Sequence, residues 1–124
     1  MDVQLIICDS TIFDKSHSIE NVRNSVSVDT FPSIINLSTF VKIIDMPKNE
    51  TIDFDLVVFD SKNNILNNAS TFVLRNYREE NEVPGIDFDL KVQLVILEKG
   101  NIYFKAYINR KEATSCPLYI KKDG

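Results

Sequence analysis

The pentapeptide Ile-Asp-Phe-Asp-Leu occurs twice, at residues 52–56 and 86–90, and supplies four carboxylates: Asp53, Asp55, Asp87 and Asp89. Carboxylates two residues apart on a strand project from one face. If the two strands were neighbours, like charges would stand opposite each other and weaken the pair. A hard cation such as calcium, which takes roughly six to eight oxygen ligands, would relieve that repulsion. Calcium sites are usually loops wrapped around the ion, however, and these carboxylates fall on strands. The spacing therefore reads as a hydrated outer face, with the strands apart or with Lys91 and Lys105 interleaved.

Nucleophilic chemistry has fewer residues to draw on. His17 is the single histidine, set in the polar stretch Asp14-Lys15-Ser16-His17-Ser18. A Ser-His-Asp arrangement is recognised by geometry rather than chain order, yet no Gly-x-Ser-x-Gly elbow is present. Cys8 and His17 could form a thiol pair, but no third group is evident to orient the histidine. Cys8 and Cys116 lie near opposite ends of the chain. A bridge across so long a loop would add up to about 4–5 kcal/mol in the chain-entropy model, whereas a reducing compartment leaves both as small buried hydrophobes. Two cysteines and one histidine fall short of a four-ligand zinc site. Phosphate-binding glycine loops are absent. The residues give no catalytic set, no metal site and no cofactor.

The elements that would position these residues follow a two-residue rhythm. Ile52, Phe54, Leu56 and Val58 alternate with Asp53, Asp55, Val57 and Phe59. Ile86 to Leu94 and Ile102 to Ile108 repeat the pattern. Such alternation marks strands with one face in a core. Further strands are expected at Val3–Cys8, Ile19–Val28, Ile35–Ile44 and Thr114–Ile120, with Pro117 placing the last at a sheet edge or bulge. Turns fall at 61–64, 98–101 and 109–112. With three glycines in the chain, asparagines are expected to take the left-handed turn positions. The polar stretch 76–85 has room for a helical turn. Outside the shared pentapeptide the two repeats diverge, so the word recurs because two strands meet the same inside–outside demand.

Size and charge narrow the classes. A chain of 124 residues is one domain, 1–124, large enough to hold a core without staples. Lysine and arginine number 14 against 18 acids, for a net charge of −4, and the basic residues are scattered. That balance argues against nucleic acid, which rewards clustered cations. No apolar run approaches the roughly 20 residues of a membrane span. The opening MDVQLIICDS has neither a basic secretory n-region nor a small residue before Cys8, so a cytoplasmic location is expected.

The opening LIICDSTIFDKSHSIENV resembles the start of an uncharacterised family of small bacterial all-β proteins, a domain of unknown function. TFPSIINLSTFVKI continues as such proteins do, and LKVQLVILEKGNIYFKAYINRKEATSCPLYI is similar to their terminal hairpin. The resemblance implies a sandwich fold and a bacterial source, with no activity to carry over.

The expected fold is all-β: a single antiparallel sandwich of about seven to eight strands, immunoglobulin-like in general architecture. The expected function is a non-enzymatic cytoplasmic binding module that engages a protein partner or a second copy of itself as a homodimer. An edge strand would do this, or the sheet face carrying Tyr103 and Tyr107, which alternation sets outside the core. The alternatives are a small-ligand or calcium binder on the aspartate face, and a hydrolase or thiol enzyme centred on His17 or Cys8.

Overall fold

The structure, a computed structural model, describes residues 1–13, 17–68, 71–78, 81–82 and 84–123. The described residues form ten strands and no helix: β1 (Asp2–Phe13), β2 (His17–Val22), β3 (Ser25–Val28), β4 (Ser33–Ile44), β5 (Thr51–Phe59), β6 (Ile65–Asn68), β7 (Phe72–Arg75), β8 (Gly85–Ile96), β9 (Gly100–Ile108) and β10 (Lys111–Lys122). One sheet runs β2-β1-β4-β8. The other runs β3-β10-β9-β5-β6, with β7 also paired to β5. All pairings are antiparallel except β3 with β10.

The count exceeds the seven to eight expected, for two physical reasons. The single strand expected over Ile19–Val28 breaks at Arg23-Asn24, where the chain leaves one sheet for the other. There Arg23 N–H donates to the Ile7 carbonyl and the Asn24 carbonyl accepts from Tyr119 N–H. The polar connection after β5 also contributes two four-residue strands, β6 and β7, which pair with its two ends. Within 76–85, residues 79–80 and 83 lie outside the described residues, and the rest contain no helix.

Both sheets turn their alternate residues onto one core. Ile7, Val41, Ile43, Val92 and Leu94 from the first sheet join Phe54, Leu56, Phe104, Ala106, Leu118 and Ile120 from the second. The first copy of the repeated word lies in this core and the second packs against its flank. The first is on β5 and the second on β8, in different sheets, and the rings of Phe54 and Phe88 meet edge to face with centroids 5.1 Å apart. The two copies thus face each other through their phenylalanines, a geometry that adds about 0.5–1.5 kcal/mol beyond burial.

Turn chemistry follows the asparagines. Asn49, Asn63 and Asn109 hold positive φ between strands, as does Asp45, and Asn21 does so within β2. Asn109 and Arg110 together form the two-residue turn between β9 and β10, with φ of 49° and 69°, the primed geometry that suits strand twist. Pro117 is accommodated because β3 pairs with β10 only from Tyr119 onward. Among the described residues the earlier part of β10 pairs with β9 alone, with a register shift between Glu112 and Thr114.

Candidate interaction face

β9 lies between β10 and β5, so its outward side chains sit in the middle of the six-stranded sheet. Ile102, Phe104 and Ala106 point into the core, which turns Tyr103, Lys105 and Tyr107 outward. Tyr103 stands directly opposite Phe59 on β5 and Pro117 on β10. One step along, Lys105 lies between Val57 and Ser115, and next Tyr107 lies between Asp55 and Glu112. The result is an uncharged row, Phe59–Tyr103–Pro117, across three adjacent strands. Tyr119 extends the apolar surface toward β3 and is 43% exposed.

Charge is confined around this row. Lys105 Nζ lies 5.3 Å from the centre of the Phe59 ring and 3.3 Å from Glu112 Oε1. Asp55 Oδ1 accepts from Thr71 Oγ1 at 2.6 Å. Tyr103 and Tyr107 are half-buried rather than fully exposed, because cross-strand neighbours flank both rings. Their outward assignment was legible from alternation. That Phe59 and Pro117 join Tyr103 was not, since it depends on which strands pair.

The four aspartates do not share a face. Asp53 and Asp55 leave the outer side of the six-stranded sheet; Asp87 and Asp89 leave the outer side of the other. Each of the second pair has its own partner. Asp87 Oδ2 accepts from Arg78 at 2.8 Å, and Lys42 Nζ is 3.6 Å from its other oxygen. Asp89 Oδ2 accepts from Thr11 Oγ1 at 2.7 Å. Among the described residues no cluster of three or more metal-ligating side chains occurs.

That last bond crosses β4, which separates β1 from β8. Cys8, Ser38 and Phe40 have registers that point them away from the core, yet all three are buried. The far part of β1 therefore lies over the outer face of its own sheet. The hydrated face expected for Asp87 and Asp89 is not found: this cover reaches Asp89, and the Asp87 side chain, held between Lys42 and Arg78, is only 16% exposed.

Cys8 and Cys116 are both free thiols. Cys8 Sγ donates weakly to the Ser10 and Ser38 carbonyls, at 3.4 and 3.5 Å. Burial pushes its pKa up, the negative charges of Asp9 and Asp89 push it further, and the Ser10 contact pulls slightly the other way. A protonated, inaccessible thiol is a poor nucleophile. Burial also raises the Cys116 pKa, but Cys116 is partly exposed. At neutral pH a maleimide should therefore modify Cys116 first and reach Cys8 only after denaturation. Equal labelling rates read by mass spectrometry would contradict the buried assignment. His17 pairs with Phe13 at the start of β2, and its side chain lies outside the described residues.

No family model matches this chain, and no curated protein matches it. Among solved structures it is similar to an alkylpurine DNA glycosylase of Pseudomonas fluorescens bound to DNA containing an abasic site analog. Identity is 11% and the TM-score 0.45, over 97% of this chain and 30% of that one. The chain spans about a third of that protein's length, and a likeness so slight says nothing about activity. No helix among the described residues is long and apolar enough to cross a membrane.

Proposed function

We propose that the protein is a non-enzymatic interaction module that binds a protein partner through the outer face of its six-stranded sheet. The observation that carries this reading is the Phe59–Tyr103–Pro117 row, central in the sheet and free of charge, with Tyr107 and Lys105 beside it. Interfaces place aromatic anchors at the centre and polar groups at the rim, and this face has that arrangement. Strand order supports an immunoglobulin-like sandwich. β4 lies beside β8 in one sheet; β5, β9 and β10 are successive neighbours in the other, with β6 outside β5. These are the neighbours that the second, fifth, third, sixth and seventh strands of that architecture have. The inter-sheet disulfide and tryptophan of antibody domains have no counterpart here. Free thiols and an acid-rich composition fit a cytoplasmic protein that does not bind nucleic acid.

The test is capture of partners from the native host on immobilised protein, with affinity then measured for each protein recovered. Tyr103→Ala should weaken the specific complex by about 2 kcal/mol or more, roughly thirtyfold, while the melting temperature stays near that of the unmodified chain. Binding that survives Tyr103→Ala together with Tyr107→Ala would remove this face from the proposal.

A further inference from the structure

β8 ends the four-stranded sheet: β4 pairs with it on one side, and among the described residues no strand pairs with the other, which β6 approaches near Gln93. Its register runs unbroken from Gly85 opposite Ile44 to Ile96 opposite Ser33. The bond from Asp45 N–H to the Pro84 carbonyl continues that ladder. Even-numbered residues of β8 therefore direct their backbone groups at β4, and odd-numbered residues from Asp87 to Val95 direct theirs outward. The Asn67 side chain confirms the direction by donating to the Gln93 carbonyl at 3.1 Å.

The apolar layer is also incomplete along this edge. Ile86, Phe88 and Leu90 point inward but are only half-buried, whereas Val92, Leu94 and Ile96 on the same strand are buried. A long strand without proline or bulge is a template for another strand, and its defence here is the exposed Lys91 at its middle.

We propose that a second copy of the chain pairs here, β8 against β8, antiparallel about a two-fold axis at Leu90. Three registers bring outward-facing backbone groups together near the centre. An axis at Asp89 sets that carboxylate against its own copy, and an axis at Lys91 does the same with two ammonium groups. The axis at Leu90 sets Asp89 against Lys91 on both sides, and Asp87 against Gln93. Opposite charges across a strand pair stabilise it and like charges weaken it, so the Leu90 register is favoured. Lys91, which discourages other strands, is matched by the protein's own sequence. On the inner side Phe88 meets Val92 and Leu90 meets Leu90, covering the half-buried stretch. The Asn67 side chain, half-buried at this edge, gives up its bond to the Gln93 carbonyl and swings aside to admit the partner. The two copies then share one eight-stranded sheet, an isologous contact of the kind common in homodimers.

This surface is distinct from the aromatic face, so either can fail alone. Sedimentation equilibrium of the whole chain should show a reversible dimer. Lys91→Asp and Asp89→Lys should each raise its dissociation constant by about tenfold or more. An equimolar mixture of the two variants should restore dimerisation, because every altered position then meets the opposite charge. Lys91→Pro removes an edge-facing N–H and no bond to β4. It should abolish the dimer with the circular dichroism unchanged and partner capture by the aromatic face intact. A chain that stays monomeric up to millimolar concentration would overturn the proposal, as would a dimer indifferent to Lys91→Pro. A mixture that does not recover would overturn the Leu90 register. Should Asp89→Lys not fold for want of its bond to Thr11, the two Lys91 variants still decide the matter.

Discussion

Phe104→Ala should lower the free energy of unfolding by about 3–5 kcal/mol. Phe104 is fully buried on β9, the middle strand of the larger sheet, between Val58 on β5 and Cys116 on β10. Its removal deletes contacts with both neighbours and leaves a space that three hydrogen-bonded strands cannot close. Native domains hold only about 5–15 kcal/mol in total, so the variant should sit near the limit of folding. Urea denaturation would show an earlier midpoint with an unchanged slope. The control is one residue away: Tyr103→Ala truncates an outer-face ring on the same strand and should move the midpoint far less. Equal losses would mean that the outer face is part of the core.

The second large effect is expected at Gly85. A Cβ there would overlap the Ile43 carbonyl oxygen, and the φ of +157° is one that side-chain-bearing residues rarely adopt. The obstacle is backbone, held in the ladder where Gly85 faces Ile44 and Ile86 faces Ile43. Relief requires opening the β4–β8 pair. Gly85→Ala should cost about 3 kcal/mol, the upper end of overpacking penalties. Gly100 is the comparison. Its φ of +132° strains any replacement, but a Cβ there meets no atom, so Gly100→Ala should cost less. Thermal melts of the two variants would order them, and the reverse order would put the obstruction in doubt.

Much of this fold could be read from side-chain alternation, because a strand with one buried face records its orientation residue by residue. The inward sets on β5, β8 and β9 follow directly from it, as do the turns where asparagine stands in for glycine. Pairing is not recorded in that way. Nothing local to Asp53 and Asp87 says that their strands belong to different sheets, so whether the four carboxylates converge could not be read from the chain. Nothing local to Tyr103 names Phe59 and Pro117 as its neighbours. The break at Arg23-Asn24 was equally hidden. Ile19, Val22, Val26 and Val28 look like one strand, and only contacts with Ile7 and Tyr119 divide them. The cover over Cys8 and Phe40 depends on β1 continuing past its pairing with β4, which no periodicity reveals.

The parallel pairing of β3 with β10 has a temporal consequence. Ser25 waits for Tyr119 and Val28 for Lys122, so during synthesis on the ribosome β3 waits for its pairing until β10 emerges. β10 can close quickly on β9 across the Asn109-Arg110 turn, but the join to β3 links distant parts of the chain and carries the slow loop-closure cost of such contacts. A nascent chain stopped before Lys111 would expose β3 and one whole side of β9, and in that form it would be open to chaperones and proteases.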